Sequence, residues 1–323
     1  PVYRYSTPET VGTAGQLEGD GAVLEGVALP PEVDTTRGEL TVRIEPSLAA
    51  GMVGGLDYLE HYPYECTEQV VSRFLPNVLT HLALSELGIE DPELEENLRQ
   101  QVTIALQRLY ARQHYDGGWG WWIQDESSTL VTAYVVFGLV KAREAGFAVD
   151  DGVLEGGFSF LMGRILSDEE ELTATYQLNR RAFVLYVLAE AGQIDESWLS
   201  TLYEERGKLS HYARAYLAMA FGMLDEDDAR AATLLSDLNS AAIVSATGAH
   251  WQETGSDRWN WNTDTRTTAI ILDALARLDP ENDLAPNAVR WLMVAREADH
   301  WETTQETAWA LIALTDWMVA TGE

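Results

Sequence analysis

One pattern recurs along this chain and limits what it can fold into. A tryptophan-rich loop is followed by a Ser/Thr cap, and then by a helix that starts in threonine and alanine. The first copy is Gly117-Gly118-Trp119-Gly120-Trp121-Trp122, then Ser128-Thr129-Leu130-Val131-Thr132-Ala133-Tyr134. Another is Trp259-Asn260-Trp261, then Thr263-Asp264-Thr265-Arg266-Thr267-Thr268-Ala269. A third is Trp301-Glu302-Thr303-Thr304-Gln305-Glu306-Thr307-Ala308-Trp309, and degenerate copies start near Arg181-Ala182 and Arg214-Ala215. These helix starts lie roughly 33 to 54 residues apart, the length of a two-helix unit. Such a unit cannot bury its apolar face alone and has to stack on its neighbours. About six stacked hairpins would close into an α/α toroid, with the threonine-rich helices inside and the charged ones outside.

The helical pattern begins at Pro46-Ser47-Leu48. Ser47 is a cap for a first helix that carries Leu48, Met52 and Leu56 on one face. A second helix begins near Thr67, with Val70, Val71, Phe74, Leu75, Val78, Leu79 and Leu82 as a broad apolar stripe. Pro76 predicts a kink or break inside it, and Gly88 its end. A third helix is expected from Glu93 to Arg112, with Asp91 as cap and Pro92 at the first position.

Residues 1–46 read differently. Gly12 to Gly26 is rich in glycine, and Pro30-Pro31 interrupts any helix. Leu40-Thr41-Val42-Arg43-Ile44-Glu45 alternates apolar and polar, which predicts a half-buried strand, and Val27-Ala28-Leu29 a shorter one. The chain is therefore expected to be mainly α: a short β segment at 1–46, then the toroid at 47–323.

Composition narrows the function classes. The net charge of −31 disfavours nucleic acid and anionic membrane surfaces as partners. No apolar run is long enough for a transmembrane helix. A start at Pro1, without methionine, reads as an excised fragment. Only Lys141 and Lys208 are lysines; biased base composition explains this, and so would a protein that carries an electrophile and spares itself primary amines. There are no paired histidines at helical spacing and no nucleotide fingerprint, so neither metal nor cofactor is expected.

The single cysteine, Cys66, rules out an internal disulfide. It stands three residues before Gln69, where the second helix begins, in Tyr62-Pro63-Tyr64-Glu65-Cys66-Thr67-Glu68-Gln69. Residues three apart on a helix face the same way. The thiol can then close on the side-chain amide, expel ammonia and leave a strained internal thioester, an acyl group that an amine or hydroxyl can take. A helix N-terminus is expected to lower the thiol pKa. Tyr62 and Tyr64, held by Pro63, are candidate shields against water, and Trp119 to Trp122 a further wall.

The motif at 62–69 resembles the thioester motif of the alpha-2-macroglobulin and complement family, whose core is Gly-Cys-Gly-Glu-Gln. Asp116-Gly117-Gly118-Trp119-Gly120 and Leu130-Val131-Thr132-Ala133-Tyr134 resemble that family's thioester domain, as does the toroid; the bacterial branch is the nearest. The resemblance implies that Cys66 and Gln69 form the bond with Glu68 between them, and that Tyr62, four residues before the cysteine, shields it together with Tyr64 and Trp119. It implies a single-turnover protease trap in the periplasm or outside the cell, not an enzyme. The partners would be target proteases, acylated through lysine amines, and other domains of a parent chain; residues 1–46 would be the first part of a CUB module. Some complement members pass the acyl group through a histidine. The comparable stretch, Tyr176 to Arg181, has none, and Asn179 is the candidate occupant, so amines should attack directly. His61, close to the motif, is a candidate gate. Glu65 replaces the usual glycine, which matters if the backbone there needs positive φ.

Two alternatives use the same toroid. One is a carbohydrate-active enzyme, with Trp119, Trp121, Trp122, Trp251, Trp259 and Trp261 lining a cleft and Asp116, Asp125, Glu253 and Asp264 supplying its acid and base. The other is a non-covalent binding toroid.

Overall fold

The computed structural model describes residues 11–17, 21–36, 38–45, 47–86, 92–167, 174–297 and 299–322. Among them are twelve α-helices: α1 (Leu48–Glu60), α2 (Thr67–Glu86), α3 (Pro92–Tyr110), α4 (Thr129–Glu144), α5 (Asp151–Ser167), α6 (Thr175–Glu190), α7 (Glu196–Glu204), α8 (His211–Leu224), α9 (Ala229–Ala241), α10 (Asp264–Leu278), α11 (Ala285–Val294) and α12 (Thr304–Thr321). One antiparallel hairpin, β1 (Ile243–Ser245) with β2 (Gly248–His250), follows α9, pairing Val244 with Ala249.

The even-numbered helices form an inner ring. Each packs on the next, and α12 returns to pack on α2, which closes the ring. The odd-numbered helices lie outside: α3 against α2 and α4, α5 against α4 and α6, α7 against α6 and α8, α1 against α12 and α2. Sequence explains the division. Leu130 to Ala142 of α4 and Thr304 to Thr315 of α12 are buried without interruption, so these helices are covered on every side and mostly apolar or small. An outer helix such as α9 buries only the stripe Ala231, Leu234, Leu235 and Leu238. Aromatic rings from four inner helices meet in the ring's interior. Phe137 stacks on Trp309 at 5.7 Å, and Tyr216 lies 5.0 Å from both Phe183 and Tyr186. Each such pair adds about 0.5–1.5 kcal/mol beyond its buried area.

The tryptophan repeat is a staple between hairpins. Trp119 donates its backbone N–H to Thr132 Oγ1 (2.9 Å) and its indole N–H to the Leu109 carbonyl (2.8 Å). Trp301 does the same with Thr307 (3.2 Å) and Leu292 (2.9 Å). The remaining copy corrects the sequence alignment. Its staple is Trp251, bonded to Thr268 (3.1 Å) and Leu238 (2.7 Å), and not Trp259 or Trp261. All three staple indoles are buried.

Ser47 caps α1 as expected, accepting the Ala50 N–H. Helix α2 runs without a break through Pro76. Gly88 and Asp91, the expected end and cap, lie outside the described residues. The strands expected in residues 1–46 are not formed among the described residues 11–45, where the Leu40 and Ile44 side chains are exposed. A strand is a paired state, and none of these residues has a ladder partner. The segment runs beside α11 and the turn after it, through Glu25–Arg290, Glu45–Arg296 and Arg43–Asp299 ion pairs.

Candidate functional site

Residues 61–66 join α1 to α2, and Cys66 is the residue just before the helix. Its carbonyl accepts the first intrahelical bond, from Val70 N–H at 3.0 Å. Gln69, the third helical residue, turns its side chain back so that Oε1 accepts the Cys66 backbone N–H at 2.9 Å. This is one arm of a capping box, in which the first side chain is normally a serine or threonine hydroxyl. Here a thiol stands in that place. Thr67 fixes the helix start from the other side, giving both its N–H (2.9 Å) and its hydroxyl (3.1 Å) to the Trp121 carbonyl.

Glu68 lies inside the ring, 4% exposed. Its Oε1 accepts from Ser72 Oγ (2.6 Å), Thr304 Oγ1 (3.0 Å) and Gln305 Nε2 (2.8 Å). Its Oε2 lies 3.9 Å from Cys66 Sγ. Ser72 continues the network to the Tyr134 hydroxyl at 3.0 Å. The site is therefore made by the first and last inner helices together, with α4 beneath.

Cys66 is 4% exposed. Burial pushes its thiol up to about 11, against the pull of hydrogen bonds from the Gln69 and Glu68 backbone, and the Glu68 charge adds to the rise. The lowered pKa expected at a helix N-terminus is thus reversed: loss of water outweighs the helix end.

Glu65 does not need glycine's freedom. Among the described residues only Trp261 combines a side chain with positive φ. The Glu65 carboxylate accepts from Arg73 Nη1 (3.1 Å) and Arg108 Nη1 (2.7 Å), tying the motif to α2 and α3. Burial raises its pKa, but these two guanidinium groups outweigh burial and hold it below the usual carboxylate range.

Other candidates fall into place or move. Tyr62 sits edge-on between Tyr58 (5.5 Å) and Tyr64 (5.9 Å), and Tyr58 stacks on His300 at 3.7 Å. Tyr62 is half-buried and Tyr64 exposed. Trp119 is not a wall over the cysteine but a staple in the core; Trp121 is the member of its loop that reaches the motif. Asn179 is not poised for acyl transfer. Its Nδ2 donates to Ser210 Oγ and Asp257 Oδ2, both at 2.9 Å, and its Oδ1 accepts Ser210 N–H at 3.0 Å. The amide is spent in holding α6 to the start of α8. His61 points to solvent beside Asp57.

The cleft expected for a carbohydrate-active enzyme is not assembled. Trp119 and Trp251 are core residues. Glu253 accepts the His211 and Tyr212 N–H groups, Asp264 the Glu253 N–H, Asp116 the Gly118 N–H, and Asp125 the Trp122 N–H. These carboxylates close turns and helix starts. Among the described residues no group of three His, Cys, Asp or Glu side chains is placed to hold a metal ion.

Ser72, Thr304 and Gln305 were not marked as site residues in the sequence. Thr304 and Gln305 belong to the third repeat's helix start, but nothing in their spacing announces a partner on α2.

Residues 42–171 match the family model described as "A-macroglobulin TED domain". A curated relative, "Alpha-2-macroglobulin" of Thermotoga maritima, is 26% identical over 86% of this chain; the chain spans 15% of that relative's length. Salmonella alpha-2-macroglobulin reacted with methylamine superposes with a TM-score of 0.67 at 22% identity, over 82% of this chain and 17% of that one. Trypsin-activated alpha-2-macroglobulin from Escherichia coli gives 0.59 at 22% identity, over 80% and 17%. The two structural likenesses establish the toroid fold, and the sequence match establishes kinship. Residues 42–171 thus match the A-macroglobulin TED domain family, and most of the chain is similar to bacterial alpha-2-macroglobulins.

Proposed function

We propose that Cys66 and Gln69 close into an internal thioester, and that the chain is the covalent warhead of a protease trap. The observation that carries this is the Cys66 N–H bond to Gln69 Oε1, which folds the amide of Gln69 back onto the buried cysteine. Attack by a lysine amine would acylate the protease through Gln69 and release Cys66 as a thiol. Each molecule turns over once, so the chain is an inhibitor module and not a catalyst. Protection from water would fall to the burial of Cys66, helped by Tyr62 and Tyr64 of the same loop.

The relatives support the partner class. The Escherichia coli protein of the same fold is named as trypsin-activated, and the Salmonella protein as methylamine-reacted. Because this chain spans a small share of them, the trigger belongs to the parent's other domains. In such a parent, residues 1–46 would pair into a CUB-like module, and the site of action would be the periplasm or the cell exterior. Among the described residues no helix is long and apolar enough to cross a membrane.

Intact mass tests the proposal. Fresh chain should weigh one ammonia less than its sequence and gain one maleimide-reactive thiol on methylamine treatment. Cys66→Ser should show the full sequence mass and no methylamine uptake. A wild-type chain at full sequence mass, with a titratable thiol from the start, would sink the thioester.

A further inference from the structure

The network around Glu68 is more than a structural tie between α2 and α12. Three donors converge on Oε1 and leave Oε2 as the atom facing Cys66 Sγ at 3.9 Å. On the other side of the pair, the oxygen of the Gln69 amide already sits on a backbone N–H. One carboxylate oxygen is fixed by the protein while the other faces a thiol, and a donor is aimed at the carbonyl that thiol would attack. That is the layout of a general base and an oxyanion site.

We infer that Glu68 and the Cys66 backbone N–H are the machinery that makes the thioester, which rests on the thioester proposed above. Cys66 Sγ attacks Gln69 Cδ while its proton passes to Glu68 Oε2. The C–S bond forms, and the carbonyl electron pair moves onto Oε1, where the Cys66 N–H holds it. When that pair returns, the Cδ–Nε2 bond breaks. Glu68 hands its proton to the departing nitrogen, which leaves as ammonia. The carboxylate ends as it began, and nothing is oxidised or reduced.

A base is needed because the buried thiol is held up to about 11 and does not ionise by itself near neutral pH. Other ionisable groups face the pair from three elements. Tyr58 on α1 and Tyr134 on α4 are both raised, chiefly by burial, and stay neutral. Arg112, just past α3, is lowered by burial but remains a cation, and its charge favours the thiolate. The Glu68 carboxylate is the group that can accept a proton.

The test opens the 323-residue chain with ammonium, which restores the Gln69 amide and the Cys66 thiol. Ammonia is then removed, and re-closure is followed by thiol titration and by loss of one ammonia in mass. Glu68→Gln keeps the acceptor for Ser72, Thr304 and Gln305 but cannot take a proton; re-closure should slow by about 10²-fold or more, with the melting temperature retained. Glu68→Asp should recover part of the rate. Re-closure of Glu68→Gln at the wild-type rate would overturn the inference. If that variant does not fold, the wild-type pH profile decides. A rate level across neutral pH is expected, whereas a rate climbing about tenfold per pH unit toward 11 would make free thiolate the sole reactant and overturn it. A wild-type chain that never loses ammonia removes the thioester itself, a separate and visible failure.

Discussion

Burial sets how the opened Cys66 thiol behaves. Its raised pKa keeps it protonated at neutral pH, so alkylation by iodoacetamide should be slow at pH 7 and climb about tenfold per pH unit toward about 11; a rate already level at pH 7 would mean a depressed thiol. Glu65 is a contrasting case. It accepts from two arginines, yet its side chain is 43% exposed and the ion pairs are screened by solvent. Glu65→Ala should therefore cost no more than about 1 kcal/mol in urea unfolding, and a much larger loss would show that the pairs hold the motif in place. Cys66 and Gln69 were legible in the sequence because the chemistry fixes their spacing and only one cysteine exists. Which residue of the row 119–122 meets the motif was not legible, since the contact is the Trp121 backbone carbonyl on Thr67, and a loop's backbone directions follow no period. Nor was the fate of Asn179, whose amide is consumed by Ser210 and by Asp257, 78 residues away.

Among the elements, the hairpin with its tryptophan staple is the working unit. Thr132, Thr268 and Thr307 each accept a buried tryptophan N–H. Thr268→Val keeps the shape and strands that donor, so it should cost about 1–3 kcal/mol in denaturant unfolding; a negligible loss would reduce the staple to simple packing. Gly117 sets the first staple loop against α5. Its φ is +85°, and an added Cβ would lie 2.3 Å from the Gly156 carbonyl oxygen. Gly117→Ala should cost upwards of about 1–3 kcal/mol from the backbone conformation alone, visible as a lowered melting temperature. The repeat itself was readable because tryptophans and threonine-rich helix starts are conspicuous. Its register in the later copy was not, because the loop at 252–263 separates Trp251 from α10, and Trp259 and Trp261 stand nearer. The strand pattern at Leu40 to Glu45 failed for a different reason: alternation describes a face, and a face becomes a strand only beside a partner.

The whole ring is tied near one end by a charge network spanning four inner helices: Lys141, Glu190, Arg277, Asp273 and Asp316. Burial raises the Glu190 pKa, but Arg277 and Lys141 outweigh it and hold the carboxyl at about 2, below its ordinary 4.5. Its stabilising contribution is therefore complete above about 4.5 and is lost as pH falls from there to about 2. Glu190→Gln should flatten that limb of an acid-unfolding curve and lower stability at pH 7 by about 1–3 kcal/mol, because Lys141 and Arg277 each lose one carboxylate while keeping Glu144, Asp273 and Asp316; an unchanged acid limb would contradict this. The toroid was foreseeable from six amphipathic units, whereas its closing contact was not, since local pattern carries no record of which ends meet. That contact has a consequence for the order of assembly. Thr304 and Glu68 are 236 residues apart, and joining them costs about 5 kcal/mol of loop entropy. During synthesis Cys66 emerges well before Thr304 and Gln305. A chain that stops short of α12 would hold Cys66 and Gln69 without the donors that Thr304 and Gln305 bring to Glu68, so under the thioester proposed above, closure of the bond would wait for closure of the ring.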